Sequence, residues 1–338
     1  MASTETATTA ATYEICQGKP KQSEAEQLAR EVAEGLAESP KRLCSRFLYD
    51  ERGSALFQQI TEQSEYYPTE CEIEILQRHR DELAALLDDN DWRVVELGVG
   101  DGQKIRPLLN EILAHGRSFE FVPIDICHEM IAELVEQIGD EFADHRLSVH
   151  GIAGEYSDAL RTLHHRDARR QLVLFLGSSI GNMTDAVARS FLAELRASLD
   201  ADDLVLIGFD LKKDPRLLQA AYDDAAGVTA EFNLNLLDRL NRELGASFDR
   251  SLFRHHAFYN PELGRMESWL LSTEPQTVAF DAIDEQFHFA AWEGMHLECS
   301  HKYTPAMIES LAEEAGFTVD RHLYDSRGWF VDSVWRAV

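Results

Sequence analysis

The segment "VVELGVGDGQK", Val94 to Lys104, sets three glycines at alternate positions, Gly98, Gly100 and Gly102, behind an apolar run that carries one acid, Glu96. Glycine adopts backbone angles closed to other residues and leaves no Cβ in a ligand's way, so a loop of this kind wraps a cofactor. Dinucleotide sites use G-x-G-x-x-G, which seats a pyrophosphate at a helix N-terminus. Here the spacing is G-x-G-x-G, and the Glu96 carboxylate would repel a pyrophosphate. Both features suit a cofactor without phosphate and with a positive end. S-adenosylmethionine, with its sulfonium and ammonium, meets that description. Asp125, which closes "FEFVPID", is placed to accept from both ribose hydroxyls. In "GEY", Glu155 offers an adenine a polar contact and Tyr156 a flat face.

Such residues need elements to hold them. Residues 22–40 carry helical apolar spacing that stops at Pro40, and a longer amphipathic helix starts after Pro68. From Trp92 the pattern changes to short apolar runs, "WRVVEL", "FEFVPIDI", "RLSVHGIAG", "QLVLFLGSSIGN" and "DLVLIGFD", alternating with helical stretches. Strands alternating with helices predict right-handed βαβ units and a doubly wound, Rossmann-like parallel sheet of the α/β class. Ligands then lie beyond the C-terminal ends of the strands. Between residues 211 and 301 the alternation fails, which predicts an inserted α+β, substrate-binding subdomain. Residues 302–338 resume with a helix capped at Thr304 and Pro305, then a strand pair that completes the core. Residues 21–210 are read as N-terminal helices plus cofactor core, and residues 1–20 as an unstructured tail.

The chain has 338 residues, 44% hydrophobic and 27% charged, as in ordinary soluble domains, but its formal net charge is -28. That charge opposes nucleic acid and anionic membranes as partners. The five cysteines, Cys16, Cys44, Cys71, Cys127 and Cys299, are dispersed, with no C-x-x-C pair. Reduced thiols, a cytoplasmic setting and no metal site are expected. The first twenty residues lack the apolar run of a signal peptide, and no apolar run approaches membrane-spanning length. A monomer acting on small molecules is the expected state.

Further motifs are more specific: "YDERGSALFQQIT", "EYYPTE", "FLGSSIGN", "AAYDDAAGVTAEFNLNLL" and "LECSHKY". With "ELGVGDGQK" they make the chain, from about Arg46 to its C-terminus, resemble the histidine Nα-methyltransferases of ergothioneine biosynthesis, which trimethylate L-histidine to hercynine. The resemblance implies a class I S-adenosylmethionine-dependent methyltransferase fold. Position by position, it implies a cofactor site of Tyr49, Gly98, Lys104, Asp125, Glu155 and Tyr156. It implies a histidine site of Tyr66, Gly177, Asn182, Tyr222, Glu298 and Ser300. Glu155 stands where the family usually has Asp, and residues 265–270 depart most from the family pattern.

The chemistry of these side chains fits that implication. Asn182 and Tyr222 can hold the carboxylate or amine of a free amino acid. Glu298 and Ser300 alternate along an extended segment and so face one side. The carboxylate can accept from one imidazole N–H while the hydroxyl pairs with the other nitrogen. An apolar amino acid would leave Glu298 desolvated and unpaired, at a cost of roughly 1–3 kcal/mol, so selection would be sharp. Tyr66 and Asn182, being neutral, suit the neighbourhood of an amine that must react unprotonated, by in-line displacement that chiefly needs alignment. No general base is identifiable, and the proton is taken to leave to water. Tyr67 is read as packing, and His301 and Lys302 as solvated neighbours. Three alternatives stay open: the same fold methylating another amino acid or aromatic amine of tryptophan type, a nicotinamide-dependent oxidoreductase, and a binding module without turnover.

Overall fold

The structure, a computed structural model, describes residues 12–15, 24–87, 91–142, 146–164, 166–167 and 169–338. In chain order its elements are β1 (Thr12–Ile15), α1 (Glu24–Ala37), β2 (Lys41–Arg42), α2 (Glu51–Thr61), α3 (Tyr67–Ala84), β3 (Trp92–Leu97), α4 (Arg106–Ala114), β4 (Phe119–Asp125), α5 (His128–Glu141), β5 (Leu147–Ala153), α6 (Tyr156–His164), β6 (Arg170–Phe175), α7 (Asp185–Ala197) and β7 (Leu204–Asp210). There follow α8 (Pro215–Ala220), α9 (Val228–Leu244), β8 (Phe253–Asn260), β9 (Arg265–Ser272), β10 (Gln276–Phe280), β11 (Glu285–Phe289), β12 (Glu293–His301), α10 (Pro305–Glu314), β13 (Phe317–Tyr324) and β14 (Phe330–Ala337).

The apolar runs line up as an eight-stranded sheet in the order β1-β5-β4-β3-β6-β7-β14-β13. The first six are mutually parallel, and β14 runs antiparallel between β7 and β13. Strands covered on both faces read as continuous apolar runs, and β3 is buried along its whole length. One face packs on α3, α4 and α5, the other on α6, α7 and α10. The chain moves outward from β3 through β4 and β5, then reverses to β6 and β7. Its switch point therefore lies between β3 and β6, where the glycine loop and Gly177 emerge. The Thr304 hydroxyl caps α10 by accepting from the Met307 amide at 3.3 Å, as its sequence predicts.

Two expectations about the N-terminal region are corrected. Thr12–Ile15, within the expected tail, form an edge strand that takes up the free backbone groups of β5; the other residues of 1–20 lie outside the described set. Of the N-terminal helices, α3 packs on the cofactor sheet, whereas α1 and α2 do not. Leu28, Val32 and Leu36 on α1, with Phe47, Leu48 and Ile60, share a core with Phe232, Leu236 and Leu240 of α9 and with the strands of the insertion. The stripe at i, i+4 and i+8 needs an apolar partner, and α9 supplies it.

The second sheet has the order β2-β12-β9-β8, with β10 and β11 as a separate hairpin. A bulge at Leu297 shifts the register of β12 on β9 between His296 and Glu298. Met295 faces Leu270, Glu298 faces Ser268, and Ser300 faces Met266. Cross-strand partners share a sheet face, so the extra residue brings Met295, Glu298 and Ser300 onto one side. An unbroken period of two would set Met295 and Glu298 on opposite sides.

Candidate active site

Gly98, Gly100 and Gly102 all adopt positive φ, 71°, 57° and 65°. A Cβ at Gly98 would come within 2.5 Å of the Tyr156 hydroxyl, so glycine is required there on both counts. Behind the loop, Asp125 closes β4 and accepts from the amides of Cys127 at 3.2 Å and Gly100 at 3.4 Å. Burial raises its pKa, and those amides oppose the rise. Tyr156 opens α6 with its ring edge-on to Phe175, at 5.9 Å. Glu155 is exposed beside it, 3.7 Å from Arg46.

Lys104, expected at the cofactor, directs its ammonium to Glu72 at 2.7 Å. Glu72 is buried on α3 and also accepts from the Gly177 amide at 2.6 Å. This acid, which the sequence reading did not single out, ties the end of the glycine loop to the turn after β6. Glu96 is buried on β3, and its Oε2 has no partner among the described residues. Burial pushes its pKa up to about 8, against the pull of Lys104. A cationic ligand end would meet that unpartnered oxygen and restore its charge. With Asp125 ready to accept and Gly98 clearing the path, these residues fit S-adenosylmethionine.

On the substrate side, β6 leads through Gly177 and left-handed Ser178 (φ 54°) into a 3-10 turn, Ser179–Asn182. The turn abuts β12. Cys299 Sγ lies 3.8 Å from the Asn182 carbonyl, and a Cβ on Gly181 would come within 2.9 Å of the His301 carbonyl. The Asn182 backbone is therefore held against the C-terminal end of β12, on the Cys299 side. Tyr49 packs edge-on to Phe57 and Phe232 at 5.5 and 5.4 Å, and Tyr66 lies 6.1 Å from Phe57. Burial pushes the Tyr66 pKa well up, and the charges of Tyr222 and Glu298 push the same way.

Tyr222 follows α8 and lies over the inner face of the second sheet. His255 Nε2 donates to its carbonyl at 2.9 Å, while His255 Nδ1 faces Asn233 at 3.2 Å. The Tyr222 hydroxyl lies 2.8 Å from Ser300 Oγ. Burial lifts Glu298 to about 7, with Lys302 opposing.

Lys302 corrects an expectation. It is 1% exposed and bonded to Asp210 (2.7 Å), Ser300 (2.9 Å) and Tyr222 (3.0 Å). His301 is also largely covered, with 12% of its side chain exposed, and burial lowers its pKa. Asp210, at the end of β7, further accepts from Tyr67 at 2.7 Å and pairs with Lys213. Tyr67 is therefore part of a buried polar network and not packing alone. Burial disfavours the charged Asp210, but Lys302 and Lys213 outweigh it and hold its pKa low. Asp210 could have been found, since it ends a predicted strand at the ligand-binding edge. Nothing in the local sequence distinguishes Lys302 from a surface lysine.

A doubly wound sheet with this glycine loop, ribose acid and flanking tyrosine defines an S-adenosylmethionine-dependent methyltransferase. A family model described as "Histidine-specific methyltransferase, SAM-dependent" matches residues 28–337, and the chain belongs to that family. The histidine N-alpha-methyltransferase of Mycolicibacterium smegmatis is 39% identical over 308 residues, covering 91% of this chain and 94% of the relative. The protein of the same name from Mycobacterium tuberculosis is 37% identical, covering 90% and 92%. An L-tryptophan methyltransferase of Psilocybe serbica is 26% identical, covering 88% and 90%.

Proposed function

We propose that this enzyme methylates the α-amine of L-histidine three times in succession, through the mono- and dimethyl forms, to N,N,N-trimethylhistidine (hercynine), the first step of ergothioneine biosynthesis. The observation that carries the reading is the bulged strand β12, which turns Glu298 and Ser300 to one face beside Tyr222. S-adenosylmethionine supplies an electrophilic methyl group on a cationic leaving group. Tyr49, Gly98, Asp125, Glu155 and Tyr156 hold it, with Lys104 setting the end of the loop through Glu72. Glu298 accepts from one imidazole N–H, and Ser300 engages the other nitrogen. Tyr222 and Asn182 hold the substrate carboxylate. Tyr66 and Asn182 border the amine with neutral groups, which leaves its deprotonated form accessible. Gly177 leaves room for the substrate beside the turn. Each round releases one proton to water, and the grip at ring and carboxylate keeps the amine aligned between rounds.

A second reading, methylation of a tryptophan-like amino acid, has support from the similarity to the Psilocybe serbica protein. Ser300 favours histidine, because an indole can donate its single N–H to Glu298 but has no second ring nitrogen for the hydroxyl. The test is incubation with S-adenosylmethionine and a panel of amino acids, read by mass spectrometry. Histidine should gain one, two and then three methyl groups. Stable methylation of tryptophan with histidine untouched would overturn the assignment. A cytoplasmic monomer completes the proposal, and light scattering on the purified chain tests its oligomeric part.

A further inference from the structure

Lys302 Nζ has three protons and three partners, Asp210 Oδ2, Ser300 Oγ and the Tyr222 hydroxyl. An ammonium accepts nothing, so both hydroxyl oxygens take a hydrogen bond from Lys302. Tyr222 donates in turn to Ser300 at 2.8 Å. Ser300 Oγ then has both lone pairs engaged, and only its own proton remains to offer to a ligand. The charge count points the same way. Lys213 faces Asp210, the Leu211 carbonyl and the Tyr67 hydroxyl, three acceptors that an ammonium fills. Asp210 is thus one negative charge between two positive ones, and the buried cluster keeps one positive charge in excess.

We infer that Lys302 makes the site selective for the neutral imidazole: through Ser300 it offers a hydrogen bond that only a bare ring nitrogen can accept, and its charge repels an imidazolium. Glu298 alone would do the opposite, since a carboxylate favours a nearby cation. Lys302 is therefore a positioning residue that acts through Ser300, and its role rests on the assignment of Glu298 and Ser300 to the ring. The groups around it are Glu298 and Ser300 on β12, Tyr222 after α8, Asp210 and Lys213 after β7, and Tyr49, Tyr66 and Tyr67 from the N-terminal helices. His301 and Tyr303 flank it in the chain. Glu298, His301 and Asp210 are the members of this set that titrate at neutral pH or below, and Lys302 and Lys213 hold Asp210 below the ordinary carboxyl range.

The experiment measures kcat/KM against pH for L-histidine and for 1,2,4-triazolylalanine, whose ring takes up a proton only in strong acid. The ratio of the two cancels the titrations of the free enzyme and of the common amine. In the wild type the histidine/triazole ratio should fall about tenfold per pH unit below the ordinary imidazole pKa of about 6.5. In Lys302→Met the ratio should flatten to less than about a threefold change over the same interval, with KM for histidine at pH 8 raised about tenfold or more. Asp210 keeps Lys213 in that variant, so no bare charge is left buried. A flat ratio in the wild type overturns the inference, and so does an equal fall in both proteins. If Lys302→Met does not fold, the wild-type ratio decides alone. A Glu298→Ala variant that keeps full preference for histidine at pH 8 would instead remove the ring assignment, a distinguishable result.

Discussion

Glu298 sits near the point where a carboxyl changes charge, lifted by burial to about 7 and drawn back by Lys302. Replacing it with alanine removes the acceptor for a ring N–H. A buried hydrogen bond to a charged group contributes about 1.5–3 kcal/mol, so kcat/KM for histidine should drop by roughly 10- to 150-fold. Titration calorimetry should find S-adenosylmethionine affinity nearly unchanged. Glu96 gives a prediction of a different kind. Its folded pKa of about 8 lies above the ordinary carboxyl value, so the folded state binds more protons than the unfolded state between the two. Stability is then fully present below the ordinary carboxyl range and is lost as pH rises towards 8. Urea unfolding of the ligand-free wild type at pH 5.5 and pH 8 should show that loss. Glu96→Gln should show much less of it, and a wild type equally stable at both values would contradict the assignment.

At the scale of elements, the bulge in β12 decides which side chains meet the substrate. Replacing both Glu298 and Ser300 with alanine would remove the two contacts that the bulge brings onto Met295's face. The expected outcome is loss of at least about a hundredfold in histidine turnover, the order of losing two positioned contacts, with S-adenosylmethionine binding retained. Calorimetry and a turnover assay on the same preparation check both halves. This is also where sequence and structure part company. The parallel strands were legible because burial on both faces leaves long apolar runs, and Asp125 was legible because it ends one of them. β8 was not, because its inward positions include His255 and Tyr259, which blur the alternation. Glu298 and Ser300 were placed on one face correctly, since they lie on the same side of the bulge. That α1 packs on α9 was not legible, because an apolar stripe announces that it needs a partner without saying which.

For the whole molecule, a net charge of -28 means self-repulsion that compaction worsens and dissolved salt screens. Raising sodium chloride from about 10 to about 200 mM shortens the Debye length from roughly 30 to under 10 Å and should raise Tm by several degrees in a thermal scan. A Tm that falls over that range would show the surface ion pairs outweighing the repulsion. The buried network around Lys302 was the least legible feature, because its members come from α3, β7, the segment after α8 and β12. Only the closed fold brings those four places together.

Strand β2 lies against β12, and α1 lies against α9. A ribosome releases the chain from one end, so the first amphipathic helix emerges long before its partners exist. Most of the protein must be synthesised before the histidine-facing sheet can close. During translation strands β3 to β7 can pair first, while the oily stripe of α1 waits for chaperones or for its late companions. The amino acid cradle, followed only by α10 and the closing strand pair, is thus among the last parts the growing polypeptide can make.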